Sequence, residues 1–419
     1  MFWKKNKRIY MDYAAATPVS KNVLRVMEPY LSENFHNPSS LYRESLKSRE
    51  AIFRARTDVA TILGCQSRNI IFTAGGTESN NLAIRGVLQN YKKIYPGVTP
   101  RVMISAIEHA SVRDVCLHLE KKREIILDII SVDTDGFINM KQIKESLHHN
   151  TALVSIGYAN SEIGVIQPLH DIAKIIRHYK KTTYGDRDVV YPLFHTDAIA
   201  AAPYLELDQK TMGVDLMSVS GAKMYGPKGI ALLYMRDGIT LEPLILGGGQ
   251  EEGMRSGTEN VPLIVGFAQS FVDASKNRDT EKERLTILQK HFFQSIKNLD
   301  IFLVNKYKFL SQAITVNGSE DNRLPNNVNV SVQKLLGEQL VLEFDARGIM
   351  VSSRSACDVG DTEGSHVIAA LHNSDEHNGS VRFTFGKETI KKDIDHVVSV
   401  FQQILEKMYS TLVRFDDTL

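Results

Sequence analysis

Between about residues 45 and 235 the chain alternates short β-branched runs with amphipathic stretches of helical period, and few architectures accept that order. The runs read NIIFTAGG, RVMISAIEH, EIILDIIS, ALVSIGYAN, VVYPLFHTDA and VDLMSVSG, and between them lie stretches such as SNNLAIRGVLQNYKKI, SVRDVCLHLEKK and LHDIAKIIRHYKK. Strands that are apolar along their length and separated by helices predict an α/β fold with a mostly parallel sheet covered on both faces. In such sheets ligands bind beyond the carboxyl ends of the strands. Nearly every run here ends in small or polar residues, so Thr77, His109, Asn160, Asp197 and Lys223 are expected at one edge.

After a long helical stretch from about 259 to 298 the pattern changes. NNVNVSVQKL, GIMVSSRSAC and SVRFTFGK read as strands, and IDHVVSVFQQILEKMYSTL closes as an amphipathic helix. A large α/β domain over residues 20–262 is therefore expected, with a smaller α+β domain built from 1–19 and 263–419. Lys plus Arg total 50 against 49 Asp plus Glu, a balance that gives no electrostatic reason for a nucleic-acid partner. No run of about 18 apolar residues suggests a membrane span, and MFWKKNKRIY lacks a secretory h-region, so a cytoplasmic location is the expectation.

The three cysteines, Cys65, Cys116 and Cys357, are far apart and form no CxxC pair, which argues against a disulfide framework or a cysteine-rich metal site. Cys65 and Cys116 sit among apolar residues at helical spacing and read as core. Cys357, in VSSRSACDVGDTEGS, lies in loop chemistry instead.

Lys223 poses the sharper question, because LMSVSGAKMYGPKG leads an apolar strand into small residues and then to one lysine. An amine that must meet a buried carbonyl needs that rigid approach and little bulk nearby. The residues at the expected edge match the needs of a pyridoxal phosphate site. Lys223 can supply the amine, Asp197 the carboxylate for the pyridine nitrogen, and His109 a plate on the ring that also moves protons. Gly75, Gly76 and Thr77, between a strand and a helix, can offer backbone N–H groups to a phosphate. Each has a plainer alternative: a surface lysine, a helix-capping aspartate, a hydrogen-bonded histidine, a tight glycine turn.

The chain resembles the cysteine desulfurases of the class V aminotransferase family, within the fold-type I pyridoxal phosphate enzymes. The motifs IYMDYAAATPV, FHNPSS, IIFTAGGTESNNLAI, EIGVIQP, FHTDA, VDLMSVSGAKMYGPKG, GGGQEEGMRSGTENV, SSRSAC and SVRFTFGK carry the likeness from about residue 9 to 405. The resemblance implies a seven-stranded, mostly parallel sheet, and pyridoxal 5'-phosphate bound to Lys223 with Asp197 at the pyridinium and His109 stacked on the ring. It also implies cofactor contacts from Gly76, Thr77, Asn160, Ser161 and Ser220, and from Thr258 across a homodimer. Arg382 and Asn37 match substrate contacts, and Cys357 matches the nucleophile that takes sulfur from L-cysteine as a persulfide, leaving alanine. A sulfur-acceptor protein follows from the same likeness.

Four positions depart from the family pattern: Ala222 stands for its usual His, Ala200 for Gln, Ser161 for Asn and Arg354 for Gly. The first three thin the expected contacts to the cofactor; Arg354, as a nearby cation, favours the Cys357 thiolate. Two rival expectations remain, a selenocysteine lyase or other β-lyase of the same fold, and a non-catalytic paralogue.

Overall fold

The computed structural model describes residues 8–185, 187, 189–353, 365–372 and 379–416, with side chains as far as 413. Among these, the strands in chain order are β1 Ile9–Tyr10, β2 Ile70–Thr73, β3 Arg101–Ser105, β4 Ile126–Ile130, β5 Thr151–Ser155 and β6 Leu193–Asp197. They continue with β7 Leu216–Ser220, β8 Ala231–Met235, β9 Ile314–Val316, β10 Asn327–Val332, β11 Ile349–Met350 and β12 Gly379–Thr384.

Seven of them form the expected sheet, in the order β2-β8-β7-β6-β5-β3-β4. All neighbours run parallel except β8, which is antiparallel to both β2 and β7. Every residue of β5, β6 and β7 is buried, as strands covered on both faces require, whereas the edge strand β4 is partly exposed. The chain leaves β3 for β4 on one side and returns to β5 on the other. That reversal opens a crevice beyond the carboxyl ends of β3 and β5.

The long helix runs from Val261 to Lys306, passing without a break through the boundary expected at 262 and ending beyond 298. Its first half packs on the large sheet, with the Phe267 ring edge-on to Phe72 at 6.1 Å between centroids. Its second half packs on the antiparallel sheet β12-β10-β9, where Phe292 lies 5.0 Å from Phe383 and Gln289 donates to the carbonyls of Leu324 and Asn327. Each such buried phenyl group contributes about 1.5–3 kcal/mol. Near the N-terminus β1 pairs in parallel with β11, which fastens the first residues to the C-terminal part of the chain. Among the described residues, no helix is long and apolar enough to cross a membrane.

Candidate active site

Lys223 ends a short 3₁₀ turn, Gly221–Lys223, directly after β7. The glycines around it answer to close packing against the long helix. A Cβ on Gly221 would lie 3.1 Å from both Phe267 and the Pro227 carbonyl, and one on Gly226 would meet Ser270 Oγ at 2.4 Å. Residues 14–17 fold over the turn from the other side: Thr17 donates through N and Oγ1 to the Ala222 carbonyl, and Lys223 Nζ donates to the Ala15 carbonyl.

The turn borders a cavity of about 320 Å³ at the switch point of the sheet. Gly76, Thr77, His109, Asn160, Ser161, Asp197, Ser220, Lys223 and Arg382 all line it, drawn from five strand ends and the second sheet. Asp197, buried at the end of β6, accepts from Asn80 Nδ2 at 2.7 Å and from the Ile199 N–H at 2.9 Å. Gly76 begins the helix Gly76–Ile94, whose N-terminus has no side-chain cap and keeps its N–H groups open to an anion. A Cβ on Gly76 would lie 2.1 Å from Ile199 Cδ1, so the glycine lets the helix end meet the cavity wall. Ser220 Oγ caps the lysine turn at Ala222 N.

Arg382, on β12, is almost wholly buried at 1 % exposure. It donates through Nη2 to Asp12 Oδ1 at 2.8 Å and through Nη1 to the Ser161 carbonyl at 3.1 Å, and its Nε meets no acceptor among the described residues. Asn160 borders the cavity with its amide engaged on backbone, accepting from Glu162 and Ile163 and donating to Ile107.

Glu108 is a cavity residue that sequence reasoning passed over. Its carboxyl is buried and accepts the Gly157 N–H at 2.8 Å. Burial, reinforced by the charge of Asp197, pushes its pKa up to about 8 against the pull of that N–H. His195, in β6, is held between Ser155 and Ser218, and burial pushes it down to about 3, which makes it a neutral core residue.

Two expected residues lie away from the cavity. Asn37 is exposed and its Oδ1 accepts from Ser39 N, and Thr258 is exposed on the loop before the long helix. Cys357 and Arg354 fall outside the described residues. Burial pushes the thiols of Cys65 and Cys116 up to about 12, and neither lines the cavity.

The model of the family described as aminotransferase class-V matches residues 9–397, nearly the whole of the chain. The chain belongs to that family. Among curated class V relatives, a cysteine desulfurase IscS of Dictyoglomus turgidum is 38% identical over 408 residues, covering 96% of this chain and 95% of the relative. Among solved structures, a NifS-like protein superposes with a TM-score of 0.83 at 28% identity, covering 95% of this chain and 99% of its own. A structure described as SspA in complex with cysteine gives a TM-score of 0.72 at 32% identity, covering 91% and 100%.

The class V site also has a supporting layer that sequence reasoning did not find. Asn80, Ser111 and Asp12 hold Asp197, His109 and Arg382 in place. Ser111 lies in the first turn of its helix, where a short polar residue reads as part of a cap, Asn80 lies a turn into its own, and nothing in sequence separation ties Asp12 to Arg382.

Proposed function

We propose that the chain is a pyridoxal phosphate-dependent cysteine desulfurase that moves sulfur from L-cysteine to Cys357 and on to an acceptor protein for iron–sulfur cluster or thio-cofactor assembly. The observation that carries this reading is the meeting of Lys223, Asp197, His109 and Arg382 in one cavity of a class V chain. The cavity fits the cofactor: an amine on a fixed turn, a buried carboxylate, an uncapped helix N-terminus, and a glycine where a Cβ would fill the cradle.

In this reading Lys223 would hold the cofactor through its amine, Asp197 would serve its pyridine nitrogen, Gly76, Thr77 and Ser220 its phosphate, and Asn160 and Ser161 would complete the lining around it. Bound pyridoxal phosphate supplies an electron-withdrawing ring that renders the substrate's α-hydrogen acidic. Arg382 orients the substrate by its carboxylate, for which a guanidinium fork is suited. Lys223 Nζ moves the proton at the substrate's α-carbon. The Cys357 thiolate attacks the substrate sulfur; the C–S bond breaks with its electron pair left on the β-carbon, which takes up a proton. An S–S bond forms on Cys357, and cysteine plus thiol gives alanine plus persulfide with no other reactant.

A homodimer is part of the proposal. Leu41, Phe35 and Phe53 are 98%, 68% and 66% exposed on the segment before and within helix Ser45–Leu63, and Leu246 is 80% exposed on the loop that leads to Thr258. Ser39 and Gly248 border one common pocket, so the two segments meet, and an apolar face of this kind suits a second copy that would bring Thr258 to its partner's cavity.

The test is to incubate purified protein with pyridoxal phosphate and L-cysteine, measure alanine, and trap the cofactor with borohydride for peptide mapping. Alanine release with label on the Lys223 peptide supports the proposal. Selenocysteine turnover without cysteine turnover would favour the lyase, and absence of any bound cofactor would favour the non-catalytic paralogue.

A further inference from the structure

The His109 ring occupies the N-cap of helix Ala110–Lys121, where Nδ1 accepts the Ser111 backbone N–H at 3.1 Å. The same nitrogen lies 2.8 Å from Ser111 Oγ. Since Nδ1 already accepts the backbone N–H, it carries no hydrogen and the hydroxyl must donate to it, while Asn80 Nδ2 donates to the hydroxyl oxygen at 2.8 Å from behind. The second hydrogen of the Asn80 amide goes to Asp197 Oδ2 at 2.7 Å. Turned over, that amide would press its oxygen against a carboxylate oxygen, so its orientation is forced. It is held even though no donor among the described residues reaches Asn80 Oδ1.

Two donors thus converge on Nδ1, and the positive end of the helix dipole points at it. A proton on that nitrogen would break the bond from the Ser111 N–H, reverse the one with the hydroxyl and oppose the dipole. The ring's one proton is left to Nε2.

We propose that Ser111 is a positioning residue that fixes His109 as the Nε2–H tautomer, with Asn80 tying both to Asp197. In that state His109 gives the cavity a flat ring and a hydrogen-bond donor and does not accept a proton through Nδ1. Proton acceptance at the substrate then falls to Lys223, while His109 keeps a proton to donate through Nε2. This inference rests on the reading of the cavity as a pyridoxal phosphate site. Its chain of hydrogen bonds belongs to the protein alone, so its failure and that reading's failure are distinguishable.

The experiment labels the histidines of the full chain with ¹⁵N and reads the tautomer by long-range proton–nitrogen correlation, with His109 assigned by its loss in His109→Gln. Wild type and Ser111→Thr, which keeps the hydroxyl, are expected to show a protonated Nε2 and an unprotonated Nδ1. Ser111→Ala is expected to shift Nδ1 and to admit the second tautomer while the melting temperature stays near wild type. In the same variant kcat with L-cysteine should fall about tenfold at unchanged KM, the loss of roughly one hydrogen bond, and Ser111→Thr should restore it. A protonated Nδ1 in wild type, or a Ser111→Ala spectrum identical to wild type, overturns the proposal. Absence of alanine from wild type would instead sink the functional reading and leave the tautomer result standing.

Discussion

Replacing Arg382 with lysine keeps the charge and removes the fork, and the structure sets what that should cost. The guanidinium spends Nη2 on Asp12 and Nη1 on Ser161 O, which leaves Nε and the remaining hydrogens for a ligand. A lysine ammonium, buried in the same place, has three donors at one point and reaches Asp12 or the substrate carboxylate with good geometry, not both. Loss of one charge-assisted hydrogen bond is about 1.5–3 kcal/mol. That corresponds to roughly ten- to hundredfold in kcat/KM, and it should appear chiefly as a raised KM, because the carboxylate is held equally before and during reaction. The assay is alanine release against L-cysteine concentration, with cysteamine, which has no carboxylate, as the comparison substrate. Arg382→Lys should lose its penalty with cysteamine, measured as amine product. A kcat/KM for L-cysteine within threefold of wild type, or an equal loss with both substrates, would refute the assignment of Arg382 to the carboxylate.

Three further outcomes are expected. Lys223→Ala should bind no borohydride-reducible cofactor, checked by absorbance and peptide mapping, since Lys228 Nζ is committed to the Thr17 carbonyl and Lys228 does not line the cavity. Glu108→Gln should change the pH dependence of stability. The folded pKa of about 8 lies above the ordinary 4.5, so the stabilising contribution of protonated Glu108 is fully present below about 4.5 and is lost as pH rises through 8. Thermal melts should then show the variant gaining on wild type from pH 5 to 8, and parallel curves would count against a protonated Glu108. Leu41→Glu combined with Phe35→Glu should yield a monomer by analytical ultracentrifugation with at least tenfold less activity, and an active monomer would remove Thr258 from the site.

How much of this was legible in the sequence follows from what each feature depends on. Apolar runs such as LFHTD and LMSVS announce buried strands because burial on both faces demands it, and their carboxyl ends gave the cavity residues. The antiparallel course of β8 was not legible, since an apolar run carries no sign of direction. The continuous helix from Val261 to Lys306 hid a change of packing partner, because one amphipathic period serves two neighbours in turn. Arg382 could be matched through its motif, but its pairing with Asp12 joins residues 370 positions apart and needed the parallel bridge of Asp12 to Thr384 on β12 to bring them near. Asn80 and Ser111 are the least legible, because the orientation of a buried amide is decided by the atoms around it.

Sulfur is expected to leave L-cysteine for a thiolate of this chain, and single-turnover mass spectrometry reads both halves of that transfer. Protein loaded with pyridoxal phosphate is mixed with L-cysteine, quenched and split for alanine quantification and intact-peptide mass. Alanine and a Cys357 peptide heavier by one sulfur atom are expected in equal amounts. Neither product should rise above background in Cys357→Ser, and turnover should stay close to wild type in Cys65→Ser and Cys116→Ser, whose thiols burial pushes up to about 12. Undiminished alanine release from Cys357→Ser, with sulfur appearing free in solution, would contradict that transfer.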